Sequence, residues 1–264
     1  MSKKNLEALM GLHIESKGSG PDLVLLHGWG MNASVWDGVA SLLAQQFCVH
    51  SVDLPGHGGS SPCAPYELDV VTATLANALP PRVMICGWSL GGQVALNWAI
   101  TRPGQVERLV LIASTPRFLR GADWECGIES AVLDDYASSL AGDWHAALRR
   151  FSRLQAHGDM HMRTVSRQLC ERLMAHGEPA PAALAAGLQL LKETDLRANL
   201  RHVTQPVLLL HGECDAVVPL AAGAYLQRAL SRATLEVFAK TAHAPLLAQP
   251  RRTARRIREF CGGA

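Results

Sequence analysis

Long apolar runs are absent from this chain: nowhere in its 264 residues does one approach the roughly 18 that a membrane-spanning helix needs. The basic opening, MSKKNLEALMGLHIESKG, lacks the apolar centre and small-residue cleavage site of a secretory leader, so a cytoplasmic protein is expected. Paired cysteine spacing is missing as well. Cys48, Cys63, Cys86, Cys126, Cys170, Cys214 and Cys261 are scattered, odd in number and nowhere spaced CxxC, which argues against structural zinc and a disulfide framework. The charges nearly cancel, and a formal +2 is too little to suggest a nucleic-acid partner. No internal repeat or low-complexity tract occurs. What is present, 48% hydrophobic and 18% charged residues, is ordinary for a globular protein with a sizeable core. The length suits one α/β domain carrying an insertion.

Four apolar runs read as buried strands: DLVLLHG at 22–28, CVHSVDL at 48–54, RVMICGW at 82–88 and VERLVLIAS at 106–114. Helical spacing follows two of them or their loops, over 34–46 and over 89–103, where Pro103 is a natural stop. Such βαβ alternation predicts an α/β fold with a mostly parallel central sheet flanked by helices. From Pro116 to about Leu200 no convincing strand occurs, only segments rich in alanine, leucine and arginine. Strand signals resume with PVLLLHG at 206–212 and TLEVFAK at 234–240, before a last helix, PLLAQPRRTARRIREF. The pattern divides the chain into a sheet core, 1–115 and 201–264, and a helical lid insertion, 116–200. The early LEALMGLHIESKG is expected to add an antiparallel hairpin or edge.

Gly87-Trp88-Ser89-Leu90-Gly91 matches G-x-S-x-G directly after an apolar strand and directly before a helix, the context its chemistry requires. Glycines on both sides remove side chains that would clash in so sharp a turn, and the helix N-terminus favours developing negative charge. The same residues could serve only as a tight glycine turn; the flanking strand and helix argue for the nucleophile. A serine hydroxyl needs a base and an orienting acid. Asp215 in HGECDAVVP and His243 in TAHAP each follow a strand, and ligand sites of open parallel sheets lie at those strand ends. Glu213 remains a close competitor for the acid, and His211 and His202 compete for the base, although a structural place suits both histidines better. Asp53, in VDLPGHGGS, reads as a turn-stabilising residue. Backbone amides of Trp29, in the HGWG turn, and of Leu90 are the candidate oxyanion donors. The Trp29 indole reads equally as a wall of an acyl pocket or as core packing.

These motifs, HGWGMNASVWD, DLPGHGGS, GWSLGG, HGECDAVVP and FAKTAHAP, span almost the whole chain in order and resemble the α/β-hydrolase superfamily. More narrowly, the HGWG and GWSLGGQVALNWA forms, the insertion length and the FAKTAHAP ending look like the serine carboxylesterase family that cleaves the methyl ester of pimeloyl-[acyl-carrier protein] in biotin synthesis. The resemblance implies Ser89, Asp215 and His243 as catalytic triad, no metal or organic cofactor, and a carrier-protein partner. It places Trp29, Ser89, Leu90, Phe151, Ser152, Arg153, Leu154, Gln155 and His243 around the substrate, and Arg150, Arg163 and Arg167 at the carrier. Ser152 and Arg153 depart from the family's more apolar form, and one family arginine falls on Ala146. No membrane association is expected, and a monomer is.

The arginines offer a separate line of argument, because an acidic carrier needs a basic face. Between Trp144 and His176 stand six arginines, Arg149, Arg150, Arg153, Arg163, Arg167 and Arg172, against Asp159 and Glu171. Arg163 and Arg167 are four apart and share a helix face. A planar guanidinium grips carboxylate or phosphate in two-pronged fashion. A solvated helical face would look alike. Other functions that the same triad supports are a broad short-chain carboxylesterase, a C–C bond hydrolase and a non-catalytic ligand-binding protein.

Overall fold

A computed structural model describes residues 11–263. Among these residues one seven-stranded sheet runs in the order β1-β3-β2-β4-β5-β6-β7. The strands are β1 (Ile14–Lys17), β2 (Asp22–Leu26), β3 (Cys48–Val52), β4 (Val83–Trp88), β5 (Val106–Ile112), β6 (Val207–Gly212) and β7 (Ala233–Phe238). All six expected strands form, and neighbouring pairs from β3 to β7 are parallel. β1 lies antiparallel on β3, with Ile14 opposite Val52, so the early segment supplies an edge. The rest of that segment, Leu6–Met10, lies outside the described residues.

The strand sequences follow from their position. β4 and β6 are covered on both faces and buried throughout, hence their unbroken apolar runs. β7, at the edge, leaves Val237 38% exposed. Helix α1 (Asp37–Leu43) follows a 3-10 turn over Ala33–Trp36. Next come α2 (Leu68–Ala78) and α3 (Leu90–Thr101), the latter buried from Leu90 to Ala99. Between β5 and β6 stand α4 (Ser130–Ala156), α5 (Met162–Arg172) and α6 (Pro181–Glu193). α4 breaks at Asp143, whose φ of −135° and ψ of 90° leave the helical region and whose carboxylate then caps the Ala146 amide. Only isolated bridges such as Arg117 with Asp195 interrupt this helical segment.

After β6 come α7 (Leu220–Ala229), α8 (Pro245–Ala248) and α9 (Pro250–Cys261). The single last helix expected from the sequence is thus two. Pro245 and Pro250 each start a helix, where a missing N–H costs nothing. α2 and α7 go beyond the helices read from sequence. In α2 the buried positions include β-branched Val71 and Thr72, which blur a helical pattern with a strand-like one.

Sheet order determines where a site can form. From β2 the chain moves outward to β3 and then returns across β2 to β4, so the loops after β2 and β4 diverge at their C-terminal ends. The backbones meet closely there. A Cβ on Gly91 would overlap the Leu26 carbonyl oxygen, and one on Gly87 would overlap that of Gly91. Gly91→Ala is therefore expected to lower unfolding free energy by at least about 3 kcal/mol, read from urea denaturation, because backbone rather than a flexible side chain blocks the new methyl. Wild-type stability in that variant would refute the close approach.

Candidate active site

Ser89 sits between β4 and α3 at φ 54°, ψ −117°, a region that side-chain-bearing residues rarely adopt. Its conformation is held from several sides. The Ser89 amide donates to the Ile112 carbonyl at 3.0 Å, and Ser114 Oγ donates to the Ser89 carbonyl at 2.9 Å. Gly92 is required because a Cβ there would overlap Ser114, and a Cβ on Gly28 would lie 3.2 Å from that of Ser89. The side chain is thus presented at the divergence of the β2 and β4 loops.

His243 and Asp215 meet across 28 residues of sequence. The His243 Nδ1–H donates to both Asp215 oxygens, at 2.8 Å to Oδ2 and 3.0 Å to Oδ1. Asp215 Oδ1 also accepts the Val217 and Val218 amides at 2.9 and 2.8 Å, so the loop after β6 orients the carboxylate before the histidine arrives. His243 is completely buried, and its Nε2 has no hydrogen-bond partner among the described residues. That nitrogen is free to take a proton. Trp88, next to Ser89, donates its indole N–H to the His243 carbonyl at 2.8 Å, which links the two loops.

The competing residues are occupied elsewhere. Glu213 is exposed and its Oε2 accepts the Lys240 amide at 2.9 Å. His211 is buried and donates Nε2–H to the Val218 carbonyl at 2.8 Å. His202 lies in the 3-10 turn Arg197–His202, with Arg201 Nε 3.4 Å from its Nε2. Asp53 accepts the Ala33 and Gly59 amides at 2.6 and 2.9 Å, as expected of a turn-stabilising residue.

Trp29 is 2% exposed, with its indole N–H donated to the Leu184 carbonyl at 2.9 Å and its ring edge-on to Phe151. The indole is therefore packed in the core, against Phe151 of α4. Neither the Trp29 amide nor the Leu90 amide has a hydrogen-bond partner among the described residues. For Leu90 the reason is its place at the first turn of α3, whose leading N–H groups the helix leaves unpaired.

The five expected lid contacts divide. Phe151, Ser152 and Gln155 are buried; the Ser152 hydroxyl turns back to the Leu148 carbonyl, and the Gln155 carbonyl accepts the His243 amide at 3.1 Å. Leu154 is half-buried. Arg153 is exposed and lines a surface groove of about 520 Å³ with His157, Met162, Arg163, Ser166 and Arg167. It shares that groove with Arg163 and Arg167 because α4 turns it outward. Arg150, by contrast, is bound to Asp135 at 2.6 Å and lies over the Tyr136 ring. Sequence spacing within one helix could not disclose a partner on the other side of the break at Asp143.

Histidines dominate the electrostatics behind the site. Burial, followed by the nearness of His57, lowers the His27 pKa to about 3, against an opposing pull from Asp53. The neutral ring donates Nδ1–H to the Gly28 carbonyl at 2.8 Å and accepts the Leu54 amide on Nε2 at 2.9 Å, bracing the HGWG turn. Burial also lowers the pKa values of His57 and His211. Residues with metal-ligand chemistry gather at two other places. One ring nitrogen each of His13 and His176 and a Glu15 oxygen lie within 4.8 Å of one another, as do ligand atoms of Asp22, Cys48 and His50. In the first group both histidines donate Nδ1–H to Asp53, at 2.8 and 3.1 Å, joining β1 to the turn after α5. Neither group contains a residue of the Ser89, Asp215 and His243 constellation.

Comparison with known proteins agrees with this architecture. A family model described as alpha/beta hydrolase family matches residues 23–256, and the chain belongs to that family. It is 47% identical over 242 residues to the pimeloyl-[acyl-carrier protein] methyl ester esterase of Nitrosomonas europaea, covering 92% of this chain and 96% of that one. The protein of the same description from Stenotrophomonas maltophilia is 42% identical over 254 residues, covering 96% and 97%. Among solved structures, an esterase from Exiguobacterium antarcticum superposes with a TM-score of 0.88 at 21% identity, covering 96% of each chain. A bromoperoxidase from Bacillus anthracis gives 0.89 at 23%, covering 96% of this chain and 95% of its own. At such identity these two share the fold.

The buried neutral histidines set an acid limit. Folded His27 stays unprotonated down to about pH 3, whereas in the unfolded chain it protonates near 6.5, so the unfolded state binds more protons between those values. The His27 contribution is complete above about pH 6.5 and falls as pH drops through that window, by up to about 1.4 kcal/mol per pH unit. Thermal melts from pH 8 to pH 4 should show Tm flat above 6.5 and declining below it. A Tm unchanged down to pH 4 would contradict the assignment.

Proposed function

We propose that this chain is a serine carboxylesterase that hydrolyses the methyl ester of pimeloyl-[acyl-carrier protein], releasing methanol and the free carboxylate, in biotin synthesis. The observation that carries the reading is the Asp215–His243 pair, fully buried and hydrogen-bonded at 2.8 Å, set in the fold that strains Ser89 into its turn. The relatives described above, matched over nearly their whole length, support the choice of substrate.

In this reading Ser89 Oγ attacks the ester carbonyl while His243 Nε2 takes its proton, and the Trp29 and Leu90 amides hold the tetrahedral oxyanion. Collapse expels methoxide, which leaves as methanol with the proton from His243. Water, deprotonated by the same nitrogen, then attacks the acyl-enzyme; the second tetrahedral species collapses to the carboxylate and regenerated Ser89. Asp215 stabilises the imidazolium in both halves. The chemistry draws on no metal or organic cofactor.

Residues 116–200 act as a lid over the core of 1–115 and 201–264, with Phe151, Ser152, Leu154 and Gln155 beside the acyl chain. The carrier docks on the outer face of α4 and α5, where Arg153, Arg163 and Arg167 line one groove. Arg150 contributes less, since Asp135 already neutralises it. No helix among the described residues is long and apolar enough to cross a membrane, which suits a cytoplasmic enzyme working as a monomer on a diffusing carrier.

Ser89→Ala should retain its circular dichroism and lose at least about 10⁴-fold in turnover. Full activity in that variant would end the assignment. For the carrier, Arg163→Ala with Arg167→Ala should raise KM for the carrier-bound methyl ester about tenfold at low salt and much less at high salt, leaving a free short-chain methyl ester untouched. Arg150→Ala should have the smaller effect. Turnover of free esters alone, indifferent to these arginines, would make the protein a general esterase.

A further inference from the structure

The turn between α4 and α5 is bonded to the loop that carries His243. Asp159, at its centre, is only 7% exposed, and both carboxylate oxygens are in use. Oδ1 accepts the His161 amide at 2.7 Å, closing the turn itself, while Oδ2 accepts the Ala242 amide at 2.9 Å, 83 residues away. Met160 N–H donates to the Lys240 carbonyl at 2.9 Å, and His243 N–H donates to the Gln155 carbonyl at 3.1 Å. Three backbone groups of residues 240–243 thus end on residues 155–160. The core holds three others: the Lys240 N–H donates to Glu213 Oε2 at 2.9 Å, Cys214 N–H donates to the Thr241 carbonyl at 2.9 Å, and the Trp88 indole holds the His243 carbonyl.

Ala242 and His243 are fully buried, so water cannot replace a lost partner. The loop is also strained where it begins, since Lys240 has φ 54°. A strained loop of this kind keeps its shape through the contacts that surround it. We infer that Asp159 is a positioning residue for His243, and that the 157–161 turn ties the outer face of the lid to the catalytic base. The inference rests on the esterase reading proposed above. If Asp159 served only its own turn, the bond to His161 would suffice; the second bond, to Ala242, is what reaches the catalytic loop.

The outer side of this segment carries the other half of the argument. Met160 and Met162 are 63% and 45% exposed, among the few large apolar side chains left in solvent, and Arg163 adjoins them. An acidic carrier seated on that patch presses on a segment whose backbone is bonded to Lys240, Ala242 and His243. Docking and base alignment are thereby coupled through one turn.

The test uses Asp159→Ala and Asp159→Asn in the full chain, with p-nitrophenyl butyrate as a substrate that needs no carrier. Asp159→Ala is expected to lose about ten- to a hundredfold in kcat, the scale of a catalytic group misplaced by about 1 Å, with KM within about twofold. Asp159→Asn keeps one oxygen to accept from Ala242 and should recover part of that loss. In Asp159→Ala the downfield proton resonance of the His243 Nδ1–H should broaden or shift while circular dichroism stays as in the parent, a signature that lost global stability would not produce. Parent kcat and an unmoved resonance in Asp159→Ala overturn the inference, and so does a loss of kcat that matches the unfolded fraction. A parent that cleaves the free ester but not the carrier ester defeats the substrate reading and leaves this comparison intact. A parent inactive on both defeats the esterase reading, and the resonance still decides whether Asp159 positions His243.

Discussion

Everything in this structure is arranged around a backbone approach that allows no side chains. Ser89 takes up a conformation foreign to most residues, and it does so because the end of β4, the start of α3 and the end of β2 come close enough to touch through their backbones. Gly87 and Gly91 are the positions where a Cβ would overlap a carbonyl, and Gly92 is where it would overlap Ser114. Strain at one residue persists when the surrounding packing over-determines it. Here that packing is a sheet and helix buried almost throughout, so the serine hydroxyl is placed by the core of the protein rather than by its surface.

The second constraint is the burial of polar groups. Asp215 and Asp53 are both shut away from solvent, and each is surrounded by donors: two backbone amides and a histidine for the first, two amides and two histidines for the second. Buried carboxylates survive only with such sets of partners. His27, His57 and His211 follow the complementary rule and stay neutral because burial penalises their charge more than neighbouring carboxylates favour it. The HGWG turn and the loop of Asp215 are stiffened by the rings of His27 and His211.

The helices between β5 and β6 contribute differently to the two sides of the molecule. Inward, Phe151 and Leu184 hold the Trp29 ring and Gln155 holds the His243 backbone; outward, Arg153, Arg163 and Arg167 line a basic groove. A helical hairpin broken at Asp143 and turned at Gly158 can present both faces because its segments are short and its turns bonded to the core.

Much of this was legible in the sequence, and the reason is local. Short unbroken apolar runs bounded by turn residues suit strands covered on both faces, and a serine between glycines at a strand-to-helix junction signals its turn within five residues. Asp215 and His243 could be read from their positions after strands, since a parallel sheet brings all its strand ends to one side. The choice between Asp215 and Glu213 could not, because two acids two residues apart differ only in which way the loop turns them; the tertiary structure aims Asp215 at His243 and Glu213 at the Lys240 amide. Helix α2 was hidden by its β-branched residues, and the division of α8 from α9 by one proline. Arg153, expected beside the substrate, lies on the outer face, and Arg150 is committed to Asp135. Helix spacing shows which side chains share a face but not which way that face points. Residue types and their order determined the fold and the chemistry; direction, pairing and the bond from Asp159 to Ala242 were decided by contacts between segments far apart in sequence, which no local pattern encodes.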